Sequence, residues 1–381
     1  MAQQVAAHVP PAERSDLGGL THPVRIGVTD YHTAGEPFRI IRTGVPAPPG
    51  ANVLERRAWL RENLDGVRRL LVNEPRGHAD MYGAFVVPSN GPDQQGHDAA
   101  CGTVFFHKDG YSTACGHGTI ALATWAVNSG LVQVPADADA QFSIDVPSGR
   151  VQVVVKCLGG QVVSVRFRNV PSWVVARGIE VATSAGTVLV DVSYGGAFYA
   201  SARAADLGFS VTPRDLEALV RIGREIKWAL NSQPVAAHPT DPRLTGMYGT
   251  IWWEDLPGDG DAADGPEGNA DGSSAAANVT ELRQRSVTIF ADGEIDRSPC
   301  GSGTSARLAL LAADRPAEPF QLDHWSIVDT RFTGRVLGIG PEIEGVGQTW
   351  MTEVEGSAYA TGQAEFTLDP RDDLGLGFQL R

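Results

Sequence analysis

Apolar positions fall along the chain with two periods. Stretches that alternate apolar and polar residues read as strands: 24–30, 81–88, 102–106, 142–146, 149–156, 161–169, 187–193 and 286–290, with a β-meander-like end near 331–337, 358–361 and 364–368. Two other segments have helical spacing with a polar face. In 54–71 (LERRAWLRENLDGVRRLL), Leu54, Trp59, Leu60, Leu64, Val67 and Leu71 recur at steps of three and four, and 215–231 (DLEALVRIGREIKWALN) behaves likewise. The arginine-rich face of the first is expected to be solvated. A third kind of segment, at 118–129 (GTIALATWAVNS) and 304–313 (TSARLALLAA), has helical length but almost no polar face, so both helices are expected to lie inside shells of strands. Gly130 is a natural stop for the first.

Each apolar helix starts from a cysteine. Thr113-Ala114-Cys115-Gly116-His117-Gly118-Thr119 and Ser298-Pro299-Cys300-Gly301-Ser302-Gly303-Thr304 share Cys-Gly-x-Gly-Thr, a small-residue turn that runs straight into the helix. Unpaired N–H groups and the positive end of the helix dipole at such a start attract an anion and are expected to favour thiolate over thiol. Two such starts facing each other would hold a carboxylate between two bases. Elsewhere, His32 and Glu36 in the turn after the first strand read as turn residues with solvated side chains.

Composition narrows the classes. Hydrophobic residues make up 42% and charged residues 20% of 381, which describes a globular protein long enough for two domains. A formal net charge of -14 with scattered Lys and Arg argues against a nucleic-acid partner. No apolar run approaches the roughly 18 to 20 residues that span a bilayer, and no signal peptide is evident, so no membrane association and a cytoplasmic location are expected. Cys101, Cys115, Cys157 and Cys300 show no CxxC spacing, which fits free thiols in a reducing compartment better than disulfides or zinc. Residues 1–22 read as a flexible lead-in. The acidic, Gly/Ala/Asp-rich run at 255–278 reads as a flexible insertion.

Four chemistries compete for the cysteine motifs. Buried structural thiols would need neither the following glycine nor the helix start. Gly301-Ser302-Gly303-Thr304-Ser305-Ala306 fits G-x-G-x-x-A, but the dinucleotide fingerprint belongs immediately after a strand, and ten residues including a proline separate it from Phe290. A Cys115–His117 nucleophile and base leaves the second motif without a purpose. Proton transfer at one carbon by two cysteines uses both: one thiolate removes a hydrogen from a stereocentre beside a carboxylate, and one thiol returns a hydrogen on the other face. Gly116-His117 and Gly301-Ser302 would supply N–H groups to the carboxylate, and Asp296 would meet the substrate ammonium. The histidines form no metal-ligand spacing.

DYHTAGEPFRI, GYSTACGHGTIAL, FRNVPSWV, VDVSYGGAFYA and DRSPCGSGTSARLAL, taken in order, resemble the proline racemase superfamily from about Val24 to Leu380. The resemblance implies an α+β fold of two similar lobes, diaminopimelate-epimerase-like, each a β-barrel-like shell round a central helix with the site in the cleft. We expect lobe 1 at 23–175 plus 361–381 and lobe 2 at 176–360. It further implies no cofactor, a homodimer, Cys115 and Cys300 as the acid/base pair, and Gly116, His117, Asp296, Gly301 and Ser302 at substrate-binding positions. The expected function is racemisation or epimerisation of proline or hydroxyproline. EPRGHADMYGAFVVPS, MYGTIWWED and VTIFADGEIDRSP look closest to the trans-3-hydroxy-L-proline dehydratases of this superfamily, which usually carry threonine where this chain has Cys300. Dehydration with Cys115 as the base is therefore the alternative, and an inactive imino-acid binding protein a third reading. The stretch 246–251 lacks the histidine that 4-hydroxyproline epimerases tend to carry, which leaves the substrate open among proline and its hydroxylated relatives.

Overall fold

The computed structural model describes Leu17, Leu20 and residues 24–257, 279–316 and 318–380. The lead-in at 1–22, apart from those two leucines, and most of the acidic run (258–278) lie outside the described residues. The start of that run is ordered: the strand before it continues to Asp255, whose side chain accepts from Gln284 Nε2 at 2.9 Å.

The elements follow in chain order. β1 (Val24–Thr33), β2 (Glu36–Thr43), α1 (Val53–Asn63), α2 (Asp65–Val72), β3 (Tyr82–Val87), β4 (Cys101–His107), β5 (Gly110–Tyr111) and α3 (Gly116–Asn128) come first. β6 (Asp139–Val146), β7 (Gly149–Leu158), β8 (Gln161–Arg168), β9 (Ser172–Thr183), β10 (Gly186–Tyr194), β11 (Phe198–Arg203) and α4 (Leu216–Asn231) follow. β12 (Met247–Asp255), β13 (Thr280–Phe290), β14 (Glu294–Asp296), α5 (Gly301–Asp314), β15 (Phe320–Ser326), β16 (Arg331–Ile339), β17 (Thr349–Gly356) and β18 (Ala358–Leu368) end the chain. The architecture is α+β and rich in strands, as expected.

Strand pairing shows how the apolar helices are covered. β9, β10, β11, β12, β13, β15, β16 and β17 pair in that order, and β17 pairs back to β9, which closes a ring of backbone hydrogen bonds. α5 packs against β9, β10, β11, β16 and β17 of that ring. A second run, β18-β1-β2-β3-β4-β6-β7-β8, joins the ring through β8 and β17. α3 packs against β1, β2, β7, β8 and β18. A helix with no polar face must be covered all round, and strands with one apolar side do this economically. Ile120 to Ala123 and Leu308 to Leu310 are fully buried. Even Arg307 is inside, its guanidinium 3.8 Å from the Trp253 ring centre and its Nε donating to Gln284 Oε1 at 3.0 Å.

Two expectations need correction. The helix expected over 54–71 is broken at Leu64, the C-cap of α1 and the residue before α2. Its arginine face is not uniformly solvated. Arg56 and Arg68 are each 7% exposed; Arg56 donates to Pro88 O and Ser89 O, and Arg68 to His107 O and Lys108 O while pairing with Asp65. Carbonyls left at the ends of β3 and β4 need donors, and a guanidinium with five N–H groups supplies several at once. Periodicity cannot see that need. The Arg68→Ala variant is expected to lose about 1–3 kcal/mol in urea denaturation, since it leaves buried carbonyls unpaired; an arginine on a solvated face would change stability by less than about 0.5 kcal/mol.

Candidate active site

The two cysteine motifs meet at the helix starts. α3 begins at Gly116 and α5 at Gly301, and a β-carbon placed on Gly116 would stand 2.4 Å from Gly301 Cα, one on Gly301 2.6 Å from Gly116 Cα. No side chain fits there, so only two glycines allow the two N-termini to touch. The first-turn N–H groups that lack intrahelical partners therefore converge. Thr33 Oγ1, at the end of β1, donates to His117 O at 2.9 Å, and Thr304 Oγ1 lies 2.8 Å from His324 Nδ1 of β15. These contacts tie both motifs to the surrounding strands.

Cys115 and Cys300 are 5% and 4% exposed and sit in unlike backbones. Cys115 is an extended N-cap whose Sγ accepts from Gly118 N at 3.2 Å, and it lies 3.4 Å from His117 Nε2. Cys300 has φ +64°, a left-handed conformation that costs a non-glycine residue about 1–3 kcal/mol. A hydrogen-bond chain holds it: Ser298 Oγ accepts from Cys300 N at 3.1 Å, and Ser298 N and Oγ both donate to Asp296 Oδ1, at 2.8 and 2.7 Å. The other Asp296 oxygen, Oδ2, faces His117 Nδ1 at 3.8 Å. Arg297, the neighbour that might have neutralised Asp296, turns instead to Asp80 Oδ2 at 2.8 Å, and its backbone N–H donates to Glu36 Oε2 at 2.7 Å.

The expected residues thus gather in one place: Cys115, Gly116, His117, Asp296, Cys300, Gly301 and Ser302 are all buried where α3 and α5 meet. One expectation about them is overturned. A helix start was expected to favour thiolate, but burial pushes both thiols above the ordinary range, and the negative charge of Asp296 pushes the same way. For Cys115 the bond from Gly118 N pulls down, yet by less than desolvation pushes up. A thiolate stripped of water loses more than one helix turn returns. Burial also lowers His117, which keeps its imidazole neutral at pH 7, though Asp296 opposes the shift.

Glu36 is a second correction. It is 0% exposed rather than solvated, and its carboxyl is raised well above the usual range by burial first and then by Asp296. His32 lies in β1 rather than in the turn, and its Nδ1 accepts from Gly35 N of the turn at 3.2 Å. Sequence reasoning missed a lining of aromatic hydroxyls. Tyr199 OH lies 2.6 Å from Ser302 Oγ and 3.7 Å from Cys300 Sγ, while Tyr82 OH bonds Ser112 Oγ and lies 3.1 Å from Tyr248 OH. Tyr248 stacks on Phe290 with ring centres 5.5 Å apart. Tyr82 stands in a stretch read as a strand, whereas Tyr199 and Tyr248 fall in segments quoted only for the family resemblance. Their only signal was membership of the motif segments.

The chain belongs to the proline racemase family, whose pattern matches residues 28–267 and 269–379. It is 39% identical over 354 residues to the trans-3-hydroxy-L-proline dehydratase of Bacillus cereus, covering 92% of this chain and 97% of that one. It is 41% identical over 365 residues to the 3-hydroxyproline 2-epimerase of Burkholderia multivorans, covering 93% and 98%. The crystal structure of a hydroxyproline epimerase from Agrobacterium vitis with bound trans-4-hydroxy-L-proline superposes with a TM-score of 0.80 at 26% identity, over 94% of this chain and 96% of that one.

Gly301→Ala is expected to force the two helix starts apart and to cost about 1–3 kcal/mol by overpacking. Chemical denaturation measures it; an unchanged midpoint would show that the two starts are not in contact.

Proposed function

We propose that the chain is a cofactor-independent racemase or epimerase of proline or hydroxyproline, with Cys115 and Cys300 as its acid/base pair. The observation that carries this reading is the pair of thiols at two helix starts whose backbones touch. The substrate carboxylate accepts N–H bonds from Gly116-His117 and Gly301-Ser302, which also stabilises the negative charge that builds at Cα. Asp296 Oδ2 takes the ammonium. One sulfur, as thiolate, takes the Cα hydrogen; the C–H bond breaks, an S–H bond forms, and the electron pair passes into the carboxylate. The other thiol then gives its proton to the opposite face and is left as thiolate. The products are the inverted amino acid and an enzyme with its two thiols exchanged in protonation. We read the strands around α3 and those around α5 as the two lobes between which substrate enters.

The second reading is dehydration of trans-3-hydroxy-L-proline with Cys115 as the base, and similarity to dehydratases such as the Bacillus cereus protein favours it. Loss of the C3 hydroxyl needs no donor on the far face. Incubation with L-proline, trans-4-hydroxy-L-proline and trans-3-hydroxy-L-proline in deuterated water separates the two. Deuterium at Cα with an inverted centre is the expected result; a cyclic imine from the 3-hydroxy substrate alone, with no inversion of any substrate, would replace the first reading by the second. Cys300→Thr is expected to lower epimerisation by at least about 10²-fold, the scale of a lost general acid or base, whereas a one-base dehydratase would keep its rate.

The raised thiols set the sign of the pH dependence. The acting base is the thiolate, and its population grows with pH until the thiol's own midpoint is passed. Since both midpoints lie above the usual value of about 8.5, kcat/KM is expected to climb continuously from pH 6.5 to 9. A plateau already reached at pH 7 would mean that the thiolate is stabilised and the burial argument wrong.

A further inference from the structure

Under the proposed function each sulfur must exist as thiol and as thiolate within one turnover, while buried at 5% exposure or less. A buried group that changes between donor and acceptor needs a neighbour able to do the reverse. A carbonyl can only accept, and an ammonium can only donate. A hydroxyl can do both.

Such a hydroxyl bonds Cys300, and another stands on the Cys115 side of the seam. Cys300 Sγ, as thiol, donates to Tyr199 OH at 3.7 Å, and that oxygen is anchored by Ser302 Oγ at 2.6 Å, where either hydroxyl is able to donate. When Cys300 loses its proton, a turn of the Tyr199 hydroxyl makes it the donor to sulfur while Ser302 keeps it in place. Across the seam, Tyr82 stands beside His117, whose Nε2 lies 3.4 Å from Cys115 Sγ. The Tyr82 ring packs edge-on against His117, centres 4.9 Å apart, and its hydroxyl is held by Ser112 Oγ and by Tyr248 OH at 3.1 Å. We infer that Tyr199 is a positioning residue for Cys300 and Tyr82 for Cys115, each hydroxyl accepting from the thiol and donating to the thiolate. This rests on the two-thiol reading above.

The other groups that face the sulfurs do not replace these hydroxyls. Asp296 is an anion and opposes either thiolate; Cys115 and Cys300 oppose each other; Tyr248 feels both from a greater remove, behind Tyr82 and Tyr199. His117 is within reach of Cys115 only, and Gly118 N already donates there; Gly303 N and Thr288 add smaller help at Cys300. Glu294 bears on Tyr82 and favours its neutral form, as does burial for both tyrosines. The phenols therefore keep their protons and remain able to donate.

The test reads the thiolates directly, without turnover. Alkylation by iodoacetamide at pH 8.5, mapped to individual cysteines by peptide mass spectrometry, proceeds through the thiolate and scales with its population. Tyr199→Phe is expected to slow alkylation of Cys300 by about 10- to 100-fold, the effect of a lost hydrogen bond to a charged group, with Cys115 unchanged. Tyr82→Phe is expected to slow Cys115 and leave Cys300 unchanged. A merely structural role would alter both cysteines together in either variant. If each variant leaves its own cysteine unaffected, or moves the two equally, the inference is overturned. Each variant tests it alone should the other fail to fold. Failure of the deuterium assay with selective alkylation effects would remove the proposed reaction and leave the hydroxyl pairing standing.

Discussion

The constraint on which the site depends is the contact between Gly116 and Gly301. Two helix N-termini repel one another through their like partial charges, and their meeting leaves a concentration of unpaired N–H groups in a buried place. Such a junction is unfavourable until an anion fills it. The remainder of the fold holds it shut: a closed ring of strands grips α5, a second run of strands grips α3, and Thr33 and His324 fasten the two starts to their surroundings. A carboxylate is a small anion that would relieve the strain.

The two sulfurs are alike in sequence and unlike in structure. Cys115 caps its helix in an ordinary extended conformation. Cys300 is held at positive φ by Ser298 and Asp296, so the aspartate proposed to meet the substrate ammonium also fixes the second thiol. Burial keeps both thiols protonated at rest.

Much of this was legible in the chain, and what was not had physical reasons. The apolar helices announced their burial because a helix without a polar face has nowhere else to go, and Cys-Gly-x-Gly-Thr marked both starts. α3 and α5 start two and three residues earlier than expected, since the glycines of the turn are themselves helical. Arg56, Arg68 and Glu36 misled because charge was taken to mean solvent, whereas each is buried against a partner distant in sequence, such as Arg297 for Glu36, 261 residues away. Helix-start electrostatics predicted the wrong direction for the thiols because desolvation depends on what the rest of the chain packs over them. Tyr82 passed as a strand residue, and Tyr199 and Tyr248 as parts of resembling segments, because neither alternation nor resemblance tells what a ring's hydroxyl meets.

The central claim is that one substrate sits between two sulfurs. Pyrrole-2-carboxylate is planar at the carbon that corresponds to Cα and resembles the carbanion-like state, so a crystal structure of its complex tests the claim most directly. The account predicts the ring sandwiched between Cys115 Sγ and Cys300 Sγ, with the carboxylate on the N–H groups of both helix starts. A complex in which only one sulfur approaches that carbon, or in which the carboxylate lies away from the Gly116–Gly301 junction, would contradict it.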